Sequence, residues 1–182
     1  MKVIGVDLAG LAKNPTGVCV LSEEDGVKTV STRLVYSDEE IIQIVGEVMP
    51  DVVAIDAPLI YAGQNRLCDR ELQEFGALPV TLSGMECLAK RGARLNEVLS
   101  PRHKLVEVYA KGSAKILGLY HKDDFTCQKK LLELDLCGDV SERILFRDEL
   151  DAVFAAFTGL LFLIGQVREV GGEDGIIIVP DV

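Results

Sequence analysis

No two cysteines in this chain are spaced as C-x-x-C. The five that occur, at 19, 68, 87, 127 and 137, are scattered and odd in number. That excludes a zinc-finger or disulfide framework and suits a reducing cytosol. Long apolar runs are also missing. The most hydrophobic stretch, Ala152 to Gly165, is 14 residues, whereas a bilayer span needs roughly 20. It reads as a buried helix, and no membrane partner is expected. Lys2 leads directly into a strand-like pattern rather than the apolar run of a secretory signal, so a cytoplasmic protein is expected. The GxGxxG and P-loop fingerprints are absent, and so are the nucleophile elbow and HExxH. His103 and His121 have no metal-ligand spacing. Basic residues are few, 19 against 29 acids, for a net charge of −10. That balance argues against a protein that coats nucleic acid by neutralising phosphates.

What remains is a globular composition, 48% hydrophobic and 26% charged over 182 residues, sized for one domain. The charge is uneven. Residues 61–104 hold seven Lys/Arg against five acids, and the rest holds 12 against 24. A mildly basic middle on an acidic body suits a locally held phosphate, or only the solvated faces of helices.

Three strands are predicted over residues 2–9, 16–22 and 27–36, divided by the turn signals Lys13-Asn-Pro-Thr-Gly17 and Ser22-Glu-Glu-Asp-Gly26. Loops this short join antiparallel neighbours. Ser37 and Glu40 have capping-box spacing and open a helix that Pro50 stops. Val52 to Ile55 is a continuous apolar run, as in a strand buried on both faces. Residues 66–100 are helical in composition and broken near Pro79, a helical insertion around 61–103. A strand at 104–109, helices near 111–119, 127–137 and 148–167, and a last strand at 175–179 follow. An α/β chain with three antiparallel strands, a helix, then strands alternating with helices has the order of the ribonuclease H-like fold: a mixed sheet flanked by helices. The actin/sugar-kinase fold shares that opening.

Three aspartate stations fall where such a fold brings them together. Asp7 closes the strand Val3-Ile4-Gly5-Val6, and Asp56 closes Val52-Val-Ala-Ile55, before an exit that Pro58 restricts. Asp148 and Asp151 share one face at the start of the 148–167 helix. Ala152, Ala155, Ala156 and Gly159 make that helix thin enough to lie close on a sheet. The plain alternatives are turn-capping for Asp7 and Asp56, and N-capping for Asp148, which would leave Asp151 as the freer acid. Converging carboxylates repel unless a cation lies between them, and a hard divalent ion is the usual solution. Glu107 sits in mid-strand, either facing outward on an edge or reaching a ligand. Cys68 has Arg66 and Arg70 nearby, which would favour its thiolate.

Over most of its length the chain resembles the family called domain of unknown function 429, predicted nucleases of the ribonuclease H fold. The resemblance rests on Gly5-Val-Asp-Leu-Ala-Gly10, Ala54-Ile-Asp-Ala-Pro58, Arg66-Leu-Cys-Asp-Arg70, Val106-Glu-Val-Tyr109 and Asp148-Glu-Leu-Asp-Ala152. The last of these is also similar to the helix start of RuvC-type Holliday-junction resolvases. The resemblance implies Asp7, Asp56, Asp148 and Asp151 as catalytic metal ligands. Two positions depart from the pattern: Asp56 stands where many of the superfamily have glutamate, and Ala110 follows Tyr109 where the family has proline.

The expected activity is a Mg²⁺- or Mn²⁺-dependent nuclease or phosphodiesterase acting on nucleic acid or a nucleotide-like substrate. Asp7, Asp56 and Asp151 would hold metal, assisted by Asp148, and Arg66, Arg91, Arg94 and Glu107 would meet substrate. Two alternatives stand beside it. One is a non-catalytic interaction module, favoured by the acidity. The other is an actin/sugar-kinase-like phosphotransferase, disfavoured because no glycine follows Asp56 and Pro58 removes an amide donor.

Overall fold

The two turn signals fold the first 35 residues into a meander. In the computed structural model, which describes residues 1–182, β1 (Lys2–Asp7), β2 (Thr16–Glu24) and β3 (Val27–Val35) are antiparallel neighbours. Ser37 caps α1 (Asp38–Val48) with the full capping box, and the helix stops at a left-handed Met49 just before Pro50. β4 (Val52–Asp56) returns parallel to β1. Between it and β5 (Leu105–Glu107) lie α2 (Leu67–Glu71), a single 3-10 turn and α3 (Ser83–Leu99). Then come α4 (Ala110–Ile116), α5 (Asp124–Leu131), β6 (Leu136–Gly138), α6 (Asp139–Glu142), α7 (Arg147–Leu163), β7 (Val167–Gly172) and β8 (Gly175–Pro180).

The main sheet has six strands in the order β5-β4-β1-β2-β3-β6, with β4, β5 and β6 parallel to their neighbours. It is a mixed sheet flanked by helices. Alternation along each strand divides the core in two. Val3, Val52 and Ala54 pack with α7 on one face, whereas Ile4, Val6, Val53 and Ile55 pack with α1 and α3 on the other.

Two strands were not expected. The helix predicted at 127–137 ends early, because Asp135 turns left-handed with φ 56°, and Leu136–Gly138 then pairs with β3. The 148–167 helix ends at Leu163, before a left-handed Gly165, and β7 pairs with β8 in a separate two-stranded sheet. The last strand is joined to the main sheet by a bridge between Val108 and Ile178, and Ile178 packs in the core with α7. No helix is long and apolar enough to cross a membrane, and all five cysteines are free.

Candidate functional site

The same alternation that buries Val3 and Gly5 under α7 sends Asp7 to that face. In β4, Val52 and Ala54 do the same for Asp56. Asp7 and Asp56 are register partners on adjacent parallel strands. The third station arrives with α7, which lies nearly on the backbone of the sheet. A Cβ at Gly5 would strike the backbone of Ala152 and Ala156, and one at Gly17 would strike the backbone of Asp148. With no side chain at these two positions, the first turn of α7 reaches the ends of β1 and β2.

Asp148 is not the N-cap of α7. Phe146 holds that position, and Glu149 reaches back to accept its amide at 3.0 Å. Glu149 is itself buried, held by the Thr32 hydroxyl at 2.8 Å and by Arg143 at 2.5 Å. Asp148 is therefore free of capping duty.

Asp7, Asp56 and Asp151 line one cavity of about 290 Å³. Asp148 lines a neighbouring hollow with Asp7, Leu8 and Asn14, so Asp7 stands between the two. None of the ion pairs in the molecule includes Asp7, Asp56 or Asp148. Arg147 stands 4.0 Å from Asp151 and is shared with Asp124. In this arrangement no group of three or more His, Cys, Asp or Glu side chains closes to ion-holding spacing.

Burial first, and the neighbouring acids second, raise the proton affinity of the cluster. Burial, then Asp56, Asp151 and Asp148, raise the Asp7 carboxyl well above the usual carboxylate range. Burial and Asp151 push Asp56 up to about 8, against the pull of the Ala110 amide. Asp151 rises to about 6, chiefly through burial, with Arg147 opposing. Asp148 is raised less deeply, mainly by burial.

The other expected residues take different places. Arg66 and Glu107 also line the cavity, but they are committed to each other. Arg66 gives Nη1 to Glu107 Oε2 at 2.9 Å and Nη2 to Oε1 at 2.7 Å, while its Nε and Nη2 hold Asp69 at 3.1 and 2.8 Å. Glu107 does not face outward: it is 5% exposed and also accepts the Leu59 amide at 2.8 Å. Its neighbour Val106 packs with α7, so strand parity turns Glu107 the other way. Arg91 lies apart from the acids, bound to Asp38 at 2.7 Å and to the Ala9 carbonyl at 2.6 Å. It lines a different cavity together with Arg94 and Lys90. Cys68 is buried, and burial pushes its thiol up to about 12 despite Arg66, so the expected thiolate does not form. His121 is exposed and accepts the Asp123 amide at 3.0 Å.

Three residues escaped the residue-by-residue reading. Tyr109 and Lys111 line the cavity from the start of α4, and Asp69 completes the Arg66 pairing. Tyr109 follows Val108 at the end of the β5 run, an address like that of Asp7 and Asp56, and that was the available signal. No protein-family model and no curated protein matches the chain.

Proposed function

We propose that this protein is a divalent-metal-dependent phosphodiesterase of the ribonuclease H-like type, acting on nucleic acid or a nucleotide-like substrate. The observation that carries the reading is the gathering of Asp7, Asp56 and Asp151 on one cavity wall, with no cation bonded to the first two. Strand order supports it as well. The order β3-β2-β1-β4-β5, with β2 antiparallel to both its neighbours and β4 and β5 parallel to β1, agrees with the order expected of a ribonuclease H-like fold, with β6 added at one edge. Fold alone does not carry activity; the carboxylates do.

The donor set fits a hard ion. It is all oxygen, it is anionic when ionised, and its protons are bound more tightly than usual because the acids are buried and raise one another. Asp7, Asp56 and Asp151, which share one cavity, would hold metal, and Asp148, in the hollow next to Asp7, would assist. Bound Mg²⁺ or Mn²⁺ would supply Lewis acidity toward a phosphoryl oxygen and lower the pKa of attached water. The chain's own contribution is position. β1 and β4 hold two carboxylates in register, and Gly5 and Gly17 let α7 deliver the others. The buried Arg66–Glu107 pair fixes the chain leaving Asp56 through the Leu59 amide. The test is cleavage of single- and double-stranded DNA and RNA with Mn²⁺ by the wild type and by Asp7→Asn. Metal-dependent cleavage that vanishes in the variant supports the reading; cleavage undiminished in the variant removes it.

A further inference from the structure

The cavity that holds the acids is also lined by apolar side chains, and that restricts what can enter. Leu8, Leu78, Met85 and Leu88 line it together with Asp7, Asp56 and Asp151. The segment carrying Leu78 is tied down on both sides. Lys115 donates to the Phe75 carbonyl at 2.6 Å and Tyr109 donates to it at 3.3 Å, while Thr81 gives its hydroxyl to Asn65 at 2.9 Å. The space left, about 290 Å³, is at the small end of the roughly 300–1,000 Å³ of small-molecule pockets. A duplex needs an open face with many cations to neutralise its phosphates. Here only two cations line the space, and Arg66 is consumed by Asp69 and Glu107. That leaves Lys111, which takes part in no ion pair.

We propose that the cavity receives one unpaired nucleotide, its flat base against Leu78, Met85 and Leu88 and its phosphate between the acids and Lys111. The proposal rests on the hydrolase reading where the phosphate meets the acids, since an anion there needs the cation which that reading supplies; the contact with the base does not depend on it. A base presents an apolar face whatever its identity, and an ammonium is a point-charge partner for phosphate. A free nucleotide and the end of a single strand share this chemistry. Paired bases in a duplex do not, because neither the base face nor a lone phosphate is available.

Calorimetric titration of the full chain with adenosine 5′-monophosphate, a short single-stranded DNA and the blunt duplex of the same sequence tests this. Ca²⁺, present or absent, serves as a hard cation. The single strand or the mononucleotide is expected to bind at least about tenfold more tightly than the duplex. Leu78→Glu, at a position 53% exposed and so tolerant of change, is expected to weaken nucleotide binding about tenfold or more with an unaltered melting temperature. Lys111→Gln is expected to weaken it by a similar factor. Tight binding of the mononucleotide identifies a free nucleotide as ligand, and binding of the strand alone identifies a strand end; either supports the proposal. Equal or tighter duplex binding, or nucleotide affinity untouched by Leu78→Glu, overturns it. Duplex cleavage with Mn²⁺ and no nucleotide binding would leave the hydrolase reading standing alone. Nucleotide binding with no metal-dependent cleavage would do the reverse.

Discussion

Asp7 and Asp56 leave the sheet side by side, as register partners on parallel strands about 4.8 Å apart. Both acids are buried with no cation bonded to either and hold their protons above the usual range, so ionising them costs stability, and a cation relieves that cost. Asp7→Asn removes one ionisable group and keeps the shape. It is expected to raise the melting temperature of the metal-free protein by several degrees, in the pattern of sites that trade stability for activity. The same variant is expected to lose metal-dependent cleavage by at least about a hundredfold, beyond the roughly 10–100-fold typical of outer-shell partners. Differential scanning calorimetry alongside a cleavage assay reads both. A variant that melts lower would show Asp7 to be a structural acid.

The raised carboxyls also set a pH dependence of unusual sign. Asp56 is held at about 8 and Asp151 at about 6, each from an ordinary 3.8. From about pH 4 up to those values the folded state binds more protons than the unfolded chain, so stability falls as pH rises. Acids held below their usual range, such as Asp139 and Glu149, act only at lower pH. The melting temperature without metal is therefore expected to decline between about pH 5 and 8. In Asp56→Asn that decline should be smaller, with the part set by Asp7 and Asp151 remaining. A flat or rising profile in the wild type would contradict the buried, unpaired state of these acids.

Much of this was legible in the residues, for a local reason. β1 and β4 each read as an apolar run ending in an acid, and both end there. Ser37 and Glu40 form the capping box their spacing implies. What was not legible depends on partners far along the chain. Phe146 takes the N-cap position that was the alternative role for Asp148, and Glu149, which Thr32, 117 residues away, helps to hold, accepts the Phe146 amide. Arg91 is bound by Asp38, 53 residues away. Glu107 needed Arg66, 41 residues away, to be tolerable in the core. β6 pairs over only three residues, too few for a periodic signal.

Mn²⁺ is expected to stabilise the protein by mass action, by about 2.7 kcal/mol at a hundred times Kd. For a chain of this size that corresponds to a melting-temperature rise of roughly 5–10 °C. The ligands must be deprotonated to bind, so the shift should grow with pH across the window in which the metal-free protein weakens. Asp56→Asn and Asp151→Asn should each reduce it. A thermal shift absent at pH 8 would count against a metal site here.

Arg66 has a structural cost that its place on the cavity wall disguises. It is 2% exposed and holds two buried carboxylates, Asp69 and Glu107. Arg66→Ala strands both charges, and removing one partner of a buried pair typically costs about 3–5 kcal/mol. Urea denaturation should show that loss without any ligand present. Glu107→Gln keeps the shape and the Leu59 contact and should cost less. If Arg66→Ala were as stable as the wild type, the cation would be free to serve substrate after all.

The approach of α7 depends on glycine, and two glycines with opposite surroundings separate that effect from backbone entropy. A methyl at Gly5 would overlap the backbone of Ala152 and Ala156, which have no flexible side chain to give way. Gly5→Ala is therefore expected to push α7 outward and cost about 1–3 kcal/mol or more, as overpacking does. Because the displaced turn carries Asp151, the Mn²⁺ thermal shift should shrink as well. Gly46, inside α1, has open space where its Cβ would go. Gly46→Ala is expected to gain about 0.5–1 kcal/mol from helix propensity and to leave the Mn²⁺ shift unchanged. Chemical denaturation of the two variants, each with and without Mn²⁺, measures the contrast. If Gly5→Ala kept the full metal response, the closeness of α7 to β1 would not be what assembles the acids.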